Sequence, residues 1–318
     1  MAGVINLKDV SKDYIVIDHN LPVYKRWMNS HRKMIQAVKD FDLEIVAGEV
    51  VALLGKNGAG KSTLIKMLTG ILMPTKGYME CLDMNPIYNH YNYTQNIGVV
   101  MGQKSLLWPH IPVETSFKLY KDIYLLSDDD YNSRIEVFDD MLSIRKYLKT
   151  PVRQLSLGER MRCEFVAAVL HNPKLLFLDE PTIGLDISSK RSIHQFIREM
   201  NRQYGTTIIL TSHDLEDSRT LCNRVVIIDD GSKVYDGRMR DLEVKSGRTR
   251  IAVKGSIDIQ SELKKYLISQ NEGDYVFECS KEELNLFKDK LFCAESIDSF
   301  EIQDISLETL VSKLYQKE

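Results

Sequence analysis

Val50-Val51-Ala52-Leu53-Leu54 runs directly into Gly55-Lys56-Asn57-Gly58-Ala59-Gly60-Lys61-Ser62, and a helical pattern follows over Lys61–Leu68. An apolar strand, a glycine-rich loop and a helix in that order leave few folds open. Gly55, Gly58 and Gly60 allow backbone conformations that aim N–H groups inward at phosphates. The helix behind them adds the positive end of its dipole. In such a loop Lys61 supplies a point charge to the β- and γ-phosphates of ATP, Ser62 gives an oxygen to Mg²⁺, and Thr63 contacts the α-phosphate. Lys56, Asn57 and Ala59 complete the cradle.

Three further apolar runs, Leu175–Leu178, Thr207–Leu210 and Val225–Ile228, read as buried parallel strands. Helical patterns such as Ser189–Arg202 alternate with them, which predicts an α/β fold with a mainly parallel sheet. Ligands of such sheets sit at the carboxyl ends of the strands. There stand Asp179 and Glu180, directly after the run Leu175–Leu178. Two adjacent acids ending an apolar strand are costly unless something cationic waits there. Asp179 is placed to hold Mg²⁺ directly or through water, and Glu180 to polarise an attacking water as general base.

The rest of the chain divides around that frame. Residues 4–16 and 41–46 read as strands, with Asp18 to Lys39 between them as an insertion carrying Tyr24, Trp27 and Met28 among Lys25, Arg26, Arg32 and Lys33. It reads as a solvated loop or short helix at the domain edge, with contact to anionic lipid headgroups as the alternative. Residues 105–170 are charged, helical in pattern and without a convincing core strand, and are expected to form a helical insert. From about Arg248 the pattern changes to strands at 248–254, 274–279 and 299–303 and helices at 261–268, 282–291 and 307–315. The expected domains are a nucleotide-binding one at 1–245 and a small α+β accessory one at 246–318, linked at Ser246-Gly247.

The net charge of −3, from 42 Lys and Arg against 45 Asp and Glu, gives no basic surplus for nucleic acid. No run approaches the roughly 18–20 apolar residues of a membrane span, and the N-terminus lacks the pattern of a signal peptide. Cys81, Cys163, Cys222, Cys279 and Cys293 are odd in number and scattered, which suits free thiols in a reducing compartment.

With these residues in place, Leu155-Ser156-Leu157-Gly158-Glu159-Arg160 makes the chain resemble the ATP-binding subunit of an ATP-binding-cassette (ABC) transporter through residues 4–240. The resemblance implies that Ser156 and Gly158, with Glu159 beside them, cap the γ-phosphate of a nucleotide held by a second copy. It implies that Tyr14 stacks on adenine and that Gln103 senses Mg²⁺, the γ-phosphate and the membrane partner. Asp186, in Pro181-Thr182-Ile183-Gly184-Leu185-Asp186, would communicate across the dimer, and His213 would hydrogen-bond the γ-phosphate. Alone, Tyr14 reads as packing and His213 as a structural histidine. Their order along the chain gives them these roles.

The chain departs from the family's common LSGGQ at Leu157 and Glu159. Leu157 removes no ligand, whereas Glu159 puts a carboxylate near phosphates unless Arg160 or Arg162 offsets it. The segments 101–114 and 151–164 resemble a bacterial exporter branch of viologen- and multidrug-efflux type. The insertion after Tyr14 points instead to polysaccharide and teichoic-acid exporters. A soluble, non-transport ABC ATPase and a regulatory subunit that binds ATP but hydrolyses it poorly are further alternatives. The expectation is an ATPase with ATP and Mg²⁺, acting as a homodimer on separate permease subunits at the cytoplasmic face of the membrane.

Overall fold

The computed structural model describes residues 3–17, 32–102, 104–212, 215–246, 248–255, 263–271, 273–280, 283–284, 287 and 297–304. The chain divides into two compact units, Met1–Asp236 and Gly237–Glu318.

The first unit begins with two long strands, β1 (Gly3–Ile17) and β2 (Arg32–Val46), paired antiparallel. Next come β3 (Val50–Leu54), α1 (Lys61–Leu68), β4 (Lys76–Cys81), α2 (His90–Thr94) and β5 (Ile97–Met101). Three helices follow: α3 (Val113–Ile123), α4 (Asp128–Leu142) and α5 (Leu157–Val169). The unit closes with β6 (Leu175–Asp179), α6 (Ile187–Tyr204), β7 (Thr207–Thr211), α7 (Leu215–Leu221), β8 (Arg224–Asp229) and β9 (Ser232–Arg238).

Among the described residues these strands make an antiparallel sheet, β2-β1-β4, and a larger sheet in the order β5-β6-β7-β3-β8-β9. In the larger sheet every pair from β5 to β8 runs parallel. Its central strands are apolar end to end because both faces are covered: Leu175 to Leu178 have no exposed surface. One continuous core joins Ile5 and Leu7 of β1, Phe41 and Leu43 of β2, Leu64, Ile65 and Leu68 of α1, and Leu53, Phe177 and Ile209 of the parallel sheet. Helix α1 is thus wedged between the two sheets directly behind the phosphate loop. Burying each of its large apolar side chains contributes roughly 1.5–3 kcal/mol.

The helices start where the sequence supplies caps. Ser127 accepts from the Asp130 N–H at the start of α4, where Asp128, Asp129 and Asp130 face the positive end of the dipole. Asp186 accepts from the Ser189 N–H at the start of α6, and Gly205, at φ 66°, ends that helix in the left-handed conformation.

Several expectations need correcting. The strand expected at 41–46 reaches back to Arg32, so residues 32–39 belong to β2 and not to an insertion. Met34 and Ile35 are exposed there, so no burial pattern announced the strand. Residues 18–31 lie outside the described residues. Three further strands, β4, β5 and β9, were not expected: β4 and β9 are largely exposed, whereas β5 is the short apolar run Ile97–Met101, interrupted by Gly98, whose missing side chain admits the Ala168 carbonyl.

In the second unit α8 (Met239–Ser246) precedes a sheet of β10 (Arg248–Gly255), β11 (Leu267–Asn271), β12 (Asp274–Ser280) and β13 (Ile297–Asp304), ordered β11-β12-β10-β13 and antiparallel throughout. The helix expected at 261–268 is instead a short 3₁₀ turn, Lys264–Tyr266, leading into β11. Of the helix expected at 282–291 only residues 283, 284 and 287 are described, and 307–315 lies outside the described residues. Ile251, Val253, Phe277 and Phe287 form this unit's own small core.

Candidate functional site

Because β3, β6 and β7 are adjacent and parallel, the loops leaving their carboxyl ends share one edge of the sheet. The loop after β3 turns at Gly58 (φ 83°) and Gly60 (φ 108°), conformations that a side chain disfavours. Gly60 is confined for a second reason: a Cβ there would collide with the Ala37 carbonyl of β2. The back of the loop is tied down as well, since the Gly231 N–H donates to Ala59 O (3.0 Å) and the Lys39 N–H to Gly231 O (2.8 Å). Lys56 and Asn57 are exposed on the rim, while Ala59 is buried. The N–H groups of the first turn of α1, Lys61 to Thr63, have no acceptor within the helix, as at any helix start.

Lys61 Nζ donates to the carbonyls of Gly55 (2.6 Å) and Lys56 (2.9 Å). Burial lowers its pKa, and the charges of Glu180 and Asp179 oppose that shift. The ammonium is therefore held over the loop by carbonyls that phosphate oxygens can replace.

Asp179 ends β6, and Glu180 follows it in the left-handed region at φ 53°. A side chain at such a position costs roughly 1–2 kcal/mol and persists only where its surroundings hold it. They do so here. The Glu180 N–H is shared between Thr211 Oγ1 (3.0 Å) and Thr211 O (3.2 Å), and the Gly102 N–H donates to Asp179 O (2.9 Å). The Thr211 hydroxyl in turn donates to Asp179 Oδ1 (2.6 Å). Sequence reasoning missed Thr211, because a threonine closing an apolar strand carries no signal of its own.

Ser62, Lys66, Met101, Gly102, Lys104, Asp179 and Glu180 line a cleft of about 170 Å³. A hydroxyl and two carboxylates beside a phosphate loop are hard oxygen donors of the kind Mg²⁺ takes. No group of three or more His, Cys, Asp or Glu among the described residues is arranged to hold a metal ion by itself. That suits an ion whose remaining ligands are phosphates and water. The residues fit Mg²⁺.

Ser156, Gly158 and Glu159 do not line this cleft. Ser156 caps α5: its side chain accepts from the Glu159 N–H, and the Glu159 carboxylate accepts from the Ser156 N–H (2.9 Å). The pair forms a capping box. These bonds hold the Glu159 carboxyl below its ordinary pKa and engage its charge at the helix start. A Cβ on Gly158 would collide with Ser189 Oγ, so the glycine lets the start of α5 lie against the start of α6, with Asp186 beside it. Asp186 Oδ2 accepts from Ser189 Oγ (2.7 Å). Tyr14 is partly exposed on β1, opposite Ile35, with Lys12 Nζ 5.7 Å from its ring centroid. Gln103 and His213 lie outside the described residues.

A second contact missed by sequence reasoning ties the loop after Glu180 to two helices. Thr182 Oγ1 donates to Asp217 Oδ2 (2.6 Å), and Lys190 Nζ reaches the same oxygen at 3.2 Å. Of the five cysteines, the four described are buried and free. Burial pushes the Cys81 and Cys163 thiols up to about 12, so they are unreactive as nucleophiles.

The family model for ABC transporter matches residues 38–183. The ABC transporter ATP-binding protein NatA of Bacillus subtilis is 31% identical over 217 residues, which span 68% of this chain and 88% of that protein. The chain belongs to the ABC transporter family. It is an ABC ATPase that hydrolyses ATP to drive transport. An uncharacterized ABC transporter ATP-binding protein of Methanocaldococcus jannaschii is 30% identical over 207 residues, covering 65% of this cassette-bearing chain and 74% of that protein. Among solved structures, the dimeric ABC transporter cassette MJ0796 superposes with a TM-score of 0.62 at 25% identity, over 74% of this chain and 99% of its own. No helix among the described residues is long and apolar enough to cross a membrane.

Proposed function

We propose that two copies of this ABC ATPase close head to tail on two ATP molecules and drive export through separate permease subunits. The observation that carries this reading is a division of labour. The phosphate loop and acidic pair share one cleft, whereas Ser156 and Gly158 sit at the start of α5 and do not line it. A second copy would bring its own Ser156 and Gly158 to the γ-phosphate. The related cassette MJ0796 has been solved as a dimer, which supports dimerisation here.

In this mechanism Lys61 leaves the Gly55 and Lys56 carbonyls for the β- and γ-phosphates, and the N–H groups at the start of α1 hold the phosphate oxygens. Ser62 and Asp179 would hold Mg²⁺, which supplies neutralisation of the charge that builds on the transferring phosphoryl group. Glu180 accepts the proton of the attacking water as its oxygen bonds the γ-phosphorus, and the bond to the ADP oxygen breaks. His213 would steady the γ-phosphate, and Gln103 and Trp108 would meet the permease at the cytoplasmic face of the membrane. Tyr14 would stack on adenine. Export as the direction rests on the resemblance of segments 101–114 and 151–164. A polysaccharide or teichoic-acid exporter is the alternative, on the resemblance of the segment after Tyr14.

The test is light scattering of Glu180→Gln in Mg²⁺-ATP, with Ser156→Arg added as control. A dimer that forms with ATP and is lost on adding the arginine is the expected result. A Glu180→Gln protein that binds ATP and stays monomeric overturns the homodimer.

A further inference from the structure

We propose that Thr211 is a positioning residue for ATP hydrolysis, setting the Asp179 carboxylate and the Glu180 backbone through one hydroxyl. The proposal rests on the reading of Asp179 as a metal-holding group and Glu180 as the base.

Thr211 ends β7, beside the end of β6 in the parallel register that pairs it with Asp179. It is fully buried. A threonine hydroxyl offers one donated hydrogen bond and two lone pairs. Here the proton goes to Asp179 Oδ1 (2.6 Å), and a lone pair takes the Glu180 N–H (3.0 Å). The two bonds reinforce each other, because donating to a carboxylate makes the hydroxyl oxygen a better acceptor.

Each bond answers a specific requirement of the site. The bond to Oδ1 fixes the carboxylate rotamer and engages one oxygen, leaving the remaining acceptor capacity of Asp179 to the cleft it lines with Ser62. The bond from the Glu180 N–H helps keep Glu180 in its left-handed conformation, which turns the following side chain out of the strand's alternation. Without the hydroxyl, Asp179 loses this bond, and the Glu180 N–H loses its shorter contact and keeps the longer one to Thr211 O (3.2 Å). Strand packing alone does not ask for this oxygen: between the two terminal threonines, Ile208, Ile209 and Leu210 fill the interior of β7 with hydrocarbon.

The experiment compares Thr211→Val, which keeps the shape and removes the hydroxyl, with Thr211→Ser, which keeps the hydroxyl. Steady-state ATP turnover is one readout. The second is Mn²⁺ affinity, read by electron paramagnetic resonance, of full-length protein saturated with a non-hydrolysable ATP analogue. Thr211→Val is expected to lower kcat about tenfold or more with KM for ATP within about threefold, and to weaken Mn²⁺ about fivefold. Thr211→Ser is expected to restore both to within about twofold. If the valine protein does not fold, as judged by its thermal transition, Thr211→Ala supplies the same comparison.

Wild-type kcat and Mn²⁺ affinity in the hydroxyl-free variant overturn the proposal. So does a serine variant as impaired as valine, which would make the role one of packing. Asp179→Asn separates the two layers of the argument. If it leaves Mn²⁺ affinity unchanged, the reading of Asp179 fails and the proposal with it. If it weakens Mn²⁺ and Thr211→Val does not, the proposal alone fails.

Discussion

A Cβ on Gly158 would collide with Ser189 Oγ and stand 3.1 Å from Ser189 Cβ. Gly158→Ala therefore has to turn the Ser189 hydroxyl off Asp186 and ease the starts of α5 and α6 apart by a few tenths of an ångström, and is expected to lower stability by about 1 kcal/mol, as read by urea denaturation. The Glu159 carboxylate caps the Ser156 N–H, so Glu159→Ala is expected to lower the melting temperature slightly and leave ATP affinity unchanged in a fluorescent-nucleotide titration. A clear loss of affinity would show that the carboxylate reaches the nucleotide. These residues also show what the sequence can disclose. Lys61, Ser62 and Asp179 were legible because phosphate and metal chemistry demands those groups in that order. Thr211 and Asp217 were not, because their partners lie 27 to 35 residues away in the chain and no motif assigns either a role. A hydroxyl that positions another residue leaves no local trace.

Elements were legible mainly through their burial, with the short buried strand β5 as the exception. Strands β3, β6, β7 and β8 are covered on both faces and read as unbroken apolar runs, whereas β4, β9 and the first half of β2 face outward and do not. Element contacts also create titration behaviour that no local pattern foretells. His171, just after α5, stacks on Tyr124 beyond α3, with ring centroids 3.7 Å apart, and its Nε2 donates to Ile97 O of β5 (2.9 Å). Burial lowers its pKa from 6.5 to about 4, with the Ile97 bond opposing and the Arg134 charge assisting. The folded chain keeps the ring neutral, while the unfolded chain takes up a proton below about 6.5. The sign follows: stability is unaffected by this group above that pH and declines as pH falls from about 6.5 towards 4. Between pH 7 and pH 5 the loss is about 2 kcal/mol. His171→Gln is expected to shrink the pH 7 to pH 5 difference in urea stability by that amount. An unchanged difference would mean that the ring is already protonated when folded.

At the scale of the whole molecule, every described residue of the phosphate loop, the acidic pair and Thr211 lies in the unit Met1–Asp236, and the second unit has its own sheet and core. We propose 1–245 and 246–318 as the working division, and a chain truncated after residue 245 is expected to keep ATP affinity within about threefold of the full chain. The order of the parallel sheet has a consequence for how the protein comes into being. Strand β3 lies between β7 and β8, so both of its neighbours stand more than 150 residues later in the chain. A ribosome completes the phosphate loop early, yet the strand that presents it has no partner until Thr207–Thr211 has emerged. Half-made chains are therefore expected to carry the nucleotide motif without gripping a nucleotide, and a fluorescent-ATP titration of chains ending before β7 and after β8 would show binding only in the longer one.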